Sequence, residues 1–188
     1  AMIKKNGFRV SVVILFLLLS SASGLLGQTT YYWVGGADAS YSASTSWNTL
    51  LGGGGSERVS TANSDILIFD GSDISSAAGV QTGSITANTV VNQSIGKLVL
   101  QNSADVTLTS GAGRTITVRN LGGTDFIINT YSSLTLGASV NLTMANNSAA
   151  AIDGDLTVGS GSTFDSDGNG VLTTVNGTIN NSGTVLGT

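Results

Sequence analysis

From residue 64 onward, apolar and small polar residues alternate in short runs, and Gly, Asn, Ser and Asp separate one run from the next. Leu98 and Leu100, Val106 and Leu108, Ile116 and Val118, Phe126 and Ile128, Leu134 and Leu136, Val140 and Leu142, and Leu156 and Val158 each flank one intervening residue. Alternation with period two predicts half-buried β-strands, here short and eight to ten residues apart.

A sandwich, a barrel and a solenoid would all give short strands, and a longer period separates them. Val106 and Leu108 are followed by Leu134 and Leu136, then Leu156 and Val158, then Ile179. Ile116 and Val118 are followed by Val140 and Leu142, then Phe164, then Val185. A third series runs from Leu98 and Leu100 through Phe126 and Ile128 to Ile152 and Leu172. The three series advance together by about 22 residues, with a longer first step. The fold class expected is therefore all-β: a right-handed parallel β-helix, or β-solenoid, of about 22-residue coils with three strands each, stacked over one continuous core. The residues between the inward ones face solvent in this reading, with Thr107, Thr135 and Thr157 as one ladder and Thr117, Asn141 and Thr163 as another. Gly111, Gly113, Gly122, Gly123, Gly159, Gly161, Asn176 and Gly177 sit where corners fall and can supply positive φ. The long first step points to an insertion near 119–125, and the run from Asp65 to Phe69, Ile85, Val90 and Val91 belong to an earlier, less regular coil.

The beginning of the chain has a different texture. Lys4, Lys5 and Arg9 precede an apolar run over 10–19 and then the small residues Ser20, Ser21, Ala22, Ser23 and Gly24. That order predicts a cleaved secretory signal peptide over 1–27, with Ala1 a cloning remnant. The run spans ten residues, about half of what a membrane-crossing helix needs. Residues 28–63 hold both Trp and three of the four Tyr, and read as an aromatic N-terminal cap on the coils of 64–188.

Composition narrows the function classes. Without the leader, four basic residues stand against eleven acidic ones, a net charge of −7. That balance argues against nucleic acid and anionic lipid as partners, because both require a basic surface. The chain has no Cys, so a lipid-anchored N-terminus is excluded and no stable membrane insertion is expected after cleavage; the product is secreted or held at the cell surface. It also lacks His, which together with the missing Cys removes the usual nucleophile–base pairs and zinc sites. The absence of Pro fits a backbone committed to sheet ladders.

Tyr32, Trp33, Val34, Gly35 and Gly36, then Ser46, Trp47 and Asn48, the Gly-rich 52–55, and the stretch from Ser64 to Asp70 together resemble the N-terminal part of large secreted β-helix surface proteins of Bacteroidetes-type bacteria. Such passengers are similar in architecture to autotransporter adhesins. Gly96 to Leu100 and Gly154 to Val158 are similar to their repeating coils. The resemblance implies a β-helix at a bacterial surface. It also implies a C-terminal sorting or anchoring module, whereas this chain stops in mid-pattern at Gly187 and Thr188, as an N-terminal fragment or with its last coil open. An open coil end makes end-to-end self-association a possible mode of partnering.

Three candidate sites follow. Asp165, Asp167 and Asn169, with Gly170, match the first half of a calcium loop, in which a hard cation takes several oxygens from a tightly turned backbone. Asn176 stands where a bidentate Glu would complete the loop, so calcium binding is expected to be weak if present, and a solvated corner explains the same residues. Trp33 and Trp47 can be a plug over the first coil or a stacking platform for a surface glycan. Asp153, Asp155, Asp165, Asp167, Arg114 and Arg119 are the residues that a lyase-like site could draw on. The function expected is a noncatalytic exported solenoid, a scaffold or adhesive part of a surface protein with a glycan or protein ligand and no required cofactor. The alternatives are a glycan-binding or glycan-degrading β-helix and, from Thr107, Thr109, Thr115 and Thr117, an ice-binding solenoid.

Overall fold

The computed structural model describes residues 27–72, 84–166 and 171–187. The leader expected over 1–27 lies almost wholly outside them, as do Asp167 and Asn169. The described chain is all-β. Its strands are β1 (Thr30–Trp33), β2 (Asp38–Ser40), β3 (Trp47–Asn48), β4 (Ile66–Asp70), β5 (Ser84–Asn88), β6 (Gln93–Ile95), β7 (Lys97–Gln101), β8 (Asp105–Leu108) and β9 (Arg114–Val118). They continue as β10 (Phe126–Ile128), β11 (Ser133–Leu136), β12 (Val140–Met144), β13 (Ala149–Ile152), β14 (Asp155–Val158), β15 (Thr163–Asp165), β16 (Leu172–Val175), β17 (Thr178–Asn181) and β18 (Thr184–Leu186).

Every third strand pairs with its equivalent one coil away, and the strands assemble three sheets: β16-β13-β10-β7-β4-β1-β3, β17-β14-β11-β8-β5-β2, and β18-β15-β12-β9-β6. All pairings are parallel except that of β3, which runs antiparallel to β1. This is the parallel β-solenoid that the repeat predicts, with four regular coils from β7 to β18 and a less regular start.

The second sheet follows the predicted register residue by residue. Val106, Leu134, Leu156 and Ile179 are partners, and so are Thr107, Thr135 and Thr157, with Thr86 and Asn180 extending that outer ladder. Val106, Leu134 and Leu156 are completely buried, so the alternation sorts side chains as expected.

The third sheet corrects the expected register by two residues. Ile116 pairs with Leu142 and Val118 with Met144, while Val140 lies beside Arg114. The outer ladder is therefore Thr115–Asn141–Thr163, and Thr117 aligns instead with Thr143 and Asp165. A slip of two keeps every residue on its own face, so alternation alone cannot detect it. The first sheet shows a related offset. Ile152 pairs with Val175, and Leu172 pairs with Ala149.

The expected insertion near 119–125 is present. Seven residues join β9 to β10, whereas four join β12 to β13. Gly122 and Gly123 have φ of 91° and 76°, and Leu121 folds back into the space above Gly96. Asp125, fully buried, holds this loop by accepting the N–H groups of Leu121 and Ala149 at 3.0 and 3.2 Å.

The corner glycines differ in kind, which corrects the expectation that they all supply positive φ: Gly111 and Gly113 have neither a positive φ nor a close neighbour. Gly161 does supply it, at 78°. Gly154 and Gly177 are needed because coils approach closely there: a Cβ on Gly154 would lie 2.1 Å from the Ser132 carbonyl oxygen, and one on Gly177 would lie 1.8 Å from that of Gly154. Several corners place non-glycine residues in the left-handed region, including Tyr131 and Ser139. Gly154→Ala is expected to destabilise the protein by about 1–3 kcal/mol, since the obstructing atoms are backbone. Gly111→Ala, which meets open space, should change the urea midpoint little.

Candidate functional site

The N-terminal end is built around four rings. Trp33 and Trp47 meet edge to face with centroids 5.1 Å apart, Tyr41 packs against Trp47 at 5.3 Å, and Phe69 contacts both indoles at 5.3 and 5.2 Å. Pairing of Trp33 with Trp47 across β1 and β3 turns both indoles inward onto the first coil. The Trp47 Nε1–H donates to the Tyr41 carbonyl at 2.8 Å. A sugar platform requires an open ring face, and both indoles are 1% exposed. Trp33 and Trp47 thus form the plug, and the platform reading of these two residues is not supported by any accessible face.

Beside the plug, the loop between β3 and β4 is fastened by a buried ion pair. Arg58 Nε donates to Asp65 Oδ2 at 2.8 Å, and Nη2 of the same guanidinium donates to Gln93 Oε1 of β6 at 3.1 Å. Asp65 also accepts the Ala62 N–H at 2.8 Å. The Tyr41 hydroxyl lies among these groups, and burial pushes its pKa well above the ordinary tyrosine range despite the opposing influence of Arg58 and Gln93.

A second polar knot joins two coils at the end of β4. Asp70 accepts from Ser72 Oγ at 2.6 Å, the Ser72 N–H at 2.9 Å, Gln101 Nε2 at 2.7 Å and Asn102 Nδ2 at 2.9 Å. Burial alone would raise the Asp70 pKa, but the hydrogen bonds from Ser72, Asn102 and Gln101 together outweigh it and hold the carboxyl below its ordinary 3.8. Sequence reading missed this knot, and the roles of Arg58 and Asp125, because isolated polar residues beside Gly and Ser have the composition of ordinary turns.

The residues weighed for metal or lyase chemistry are only partly brought together. Asp165, in β15, and Arg119, just beyond β9, line one open groove of about 680 Å³ along the third sheet, with Thr117, Thr143, Asn120 and Asn146. Asp153 is instead held by Asn176 Nδ2 at 2.7 Å at the corner between the first and second sheets. Asp155 opens β14 in register with Ser133 and Thr178, and Arg114 opens β9 beside Val140. Of the calcium-loop residues, Asp165 is described and Asp167 and Asn169 are not; among the described residues no group of three His, Cys, Asp or Glu side chains could hold a metal ion. Thr107 and Thr115 stand on different sheets, so their rows do not share one flat face. No family model, curated protein or solved structure matches the chain.

The depressed Asp70 pKa fixes the sign of a pH effect. Its contribution to stability is complete above the unfolded-state value near 3.8 and is lost as pH falls through the lower folded value. Asp70→Asn should cost about 1–2 kcal/mol at neutral pH, as expected for charge-assisted hydrogen bonds. In urea titrations from pH 7 to pH 2 the difference between wild type and variant should shrink below about pH 4; a constant difference would contradict the assignment.

Proposed function

We propose that this chain is the noncatalytic solenoid part of an exported surface protein, serving as scaffold or adhesive module. The observation that carries the reading is the uniformity of two outer ladders over successive coils. Thr86, Thr107, Thr135 and Thr157 run down one face and Thr115, Asn141 and Thr163 down another, all short and uncharged. Such a surface suits reach and stiffness, since each coil contacts only its neighbours and length grows by stacking. The leader pattern over 1–27 supports export, and the two-Trp cap with its Gly-rich loop supports a place among bacterial β-helix surface proteins of the autotransporter-adhesin kind. Surface labelling of intact source cells, followed by mass spectrometry of the protein's N-terminus, tests the reading. The expected product begins after Ser23, Gly24 or Gly27 and is accessible from outside; an intact leader on a protein confined to the cytoplasm would overturn it.

A second reading, glycan binding, is favoured by the groove of the third sheet. Thr117, Thr143, Asn120 and Asn146 offer hydroxyls and amides along the stack, and Arg119 adds a cation suited to a carboxylated sugar. On a glycan array this reading expects selective capture of uronate-containing oligosaccharides that Arg119→Ala weakens and Trp47→Phe leaves unchanged. Equal binding by wild type and Arg119→Ala would contradict it.

A further inference from the structure

Corner geometry sets one aromatic residue apart from the rest of the chain. Between β10 and β11 the backbone turns over 129–132, and the Ser132 N–H donates to the Asn129 carbonyl at 2.9 Å. Tyr131 is the third residue of that turn, with φ of 67°, and it alone of the two central residues has positive φ. That is the pattern of a type II turn, whose third position belongs to Gly or Asn because a β-carbon is crowded there.

The neighbouring coils hold the turn in place. The Asn129 and Ser133 N–H groups donate to the Leu100 and Ala104 carbonyls at 2.9 and 2.8 Å, and the Asp155 N–H donates to the Ser132 carbonyl at 3.0 Å. Ile128 is the partner of Ile152 and Ser133 the partner of Asp155, so this corner carries two residues more than the next one. Nothing in the folded state offsets the strain at Tyr131. Its side chain is 87% exposed, and among the described residues it has no hydrogen bond and no ring contact. The chain has 26 Gly, and Gly161 supplies positive φ at another corner. A rigid, strained and unpacked aromatic ring lowers stability without serving the fold, which marks it as a group held ready for something outside the chain.

The surroundings select the charge of that ligand. Ser133, two residues after Tyr131, lies in register between Asp105 and Asp155, both exposed and each one strand spacing away, about 4.8 Å. Asp153 follows Ile152 at the other end of the turn. The four basic residues that follow the leader all lie elsewhere: Arg58 is paired with Asp65 at the cap, Arg114 and Arg119 belong to β9 and its end, and Lys97 opens β7 at the opposite edge of the first sheet. An exposed phenol ring in a negative field, with no cation of its own chain nearby, suits a cationic ligand. A rigid ring can stack on Tyr131 without ordering a flexible chain, which favours a sugar over a lysyl side chain.

We propose that Tyr131 is the stacking platform of a binding site for a protonated amino sugar, whose ammonium group is attracted by the carboxylates beside the corner. The aromatic ring carries the site and the carboxylates only select its ligand. The inference depends neither on export nor on the groove of the third sheet, which lies on another face and takes a ligand of opposite charge.

NMR titration of the full chain with a glucosamine tetrasaccharide at mildly acidic pH tests the proposal. Saturable shifts are expected at 129–133 and 153–155, with a dissociation constant of about millimolar, the level that one exposed stacking contact and screened ion pairs supply. The N-acetylated tetrasaccharide, which lacks the charge, should bind about two- to five-fold more weakly. A lysine tripeptide should also bind more weakly. Tyr131→Phe keeps the ring and should bind like wild type, whereas Tyr131→Gly should abolish the shifts and raise the urea midpoint, since Gly relieves the left-handed strain. That rise separates loss of binding from loss of folding. Absence of saturable shifts in wild type, binding of the N-acetylated sugar or the lysine peptide as tight as that of the amino sugar, unchanged binding by Tyr131→Gly, or a lowered midpoint in that variant would each overturn the proposal.

Discussion

Coil-on-coil pairing in register is the interaction on which everything else in this molecule depends. A single coil has an inward row of apolar side chains but nothing to cover it, and the backbone polar groups of its strands have no partner. Stacking meets both needs in one step, because the parallel ladder that pairs Leu134 with Val106 and Leu156 also closes their side chains into one core. The chain has no disulfide to fall back on. Its stability comes from repetition, and any coil is as secure as its neighbours make it.

Such a fold concentrates its special chemistry at corners and ends. Corners must turn sharply while backbones lie nearly in contact, and Gly154 and Gly177 stack there because no side chain fits. Where a coil departs from the common length, buried polar groups stabilise the departure: Asp125 under the long 119–125 loop, Asp70 where β4 leaves the first sheet, and the Arg58–Asp65 pair at the cap. Each carboxylate is enclosed by donors, the condition on which a charge can be kept away from water. Between the corners, ladders of the second and third sheets carry short hydroxyl and amide side chains, and this division of labour underlies the reading of the chain as an extended surface module.

The fold was largely legible in the sequence because a solenoid writes its structure as a period. Val106, Leu134, Leu156 and Ile179 could be aligned by counting, and the aligned residues are neighbours in space. What counting could not supply is the pairing offset in the third sheet. Moving Val140 into the place of Leu142 leaves every inward residue inward, and the difference is set by how many residues the corners before and after β12 consume. The polar knots were illegible for another reason. Asp70, Gln101 and Asn102 converge only after the stack has formed, from positions 31 or more residues apart in sequence. Trp33 and Trp47 were legible as a pair, but whether their faces open or close depends on β3 turning back onto β1.

Register is the central claim, and one distance measures it directly. Thr86, Thr107, Thr135, Thr157 and Asn180 are successive partners in the second sheet, so residues 86 and 180 are four strand spacings apart although 94 positions separate them in the chain. In a chain without native cysteine, spin labels at these two positions should give a single narrow distance near about 19 Å, four times the inter-strand spacing. A broad distribution, or a distance far from that value, would contradict the stacked solenoid.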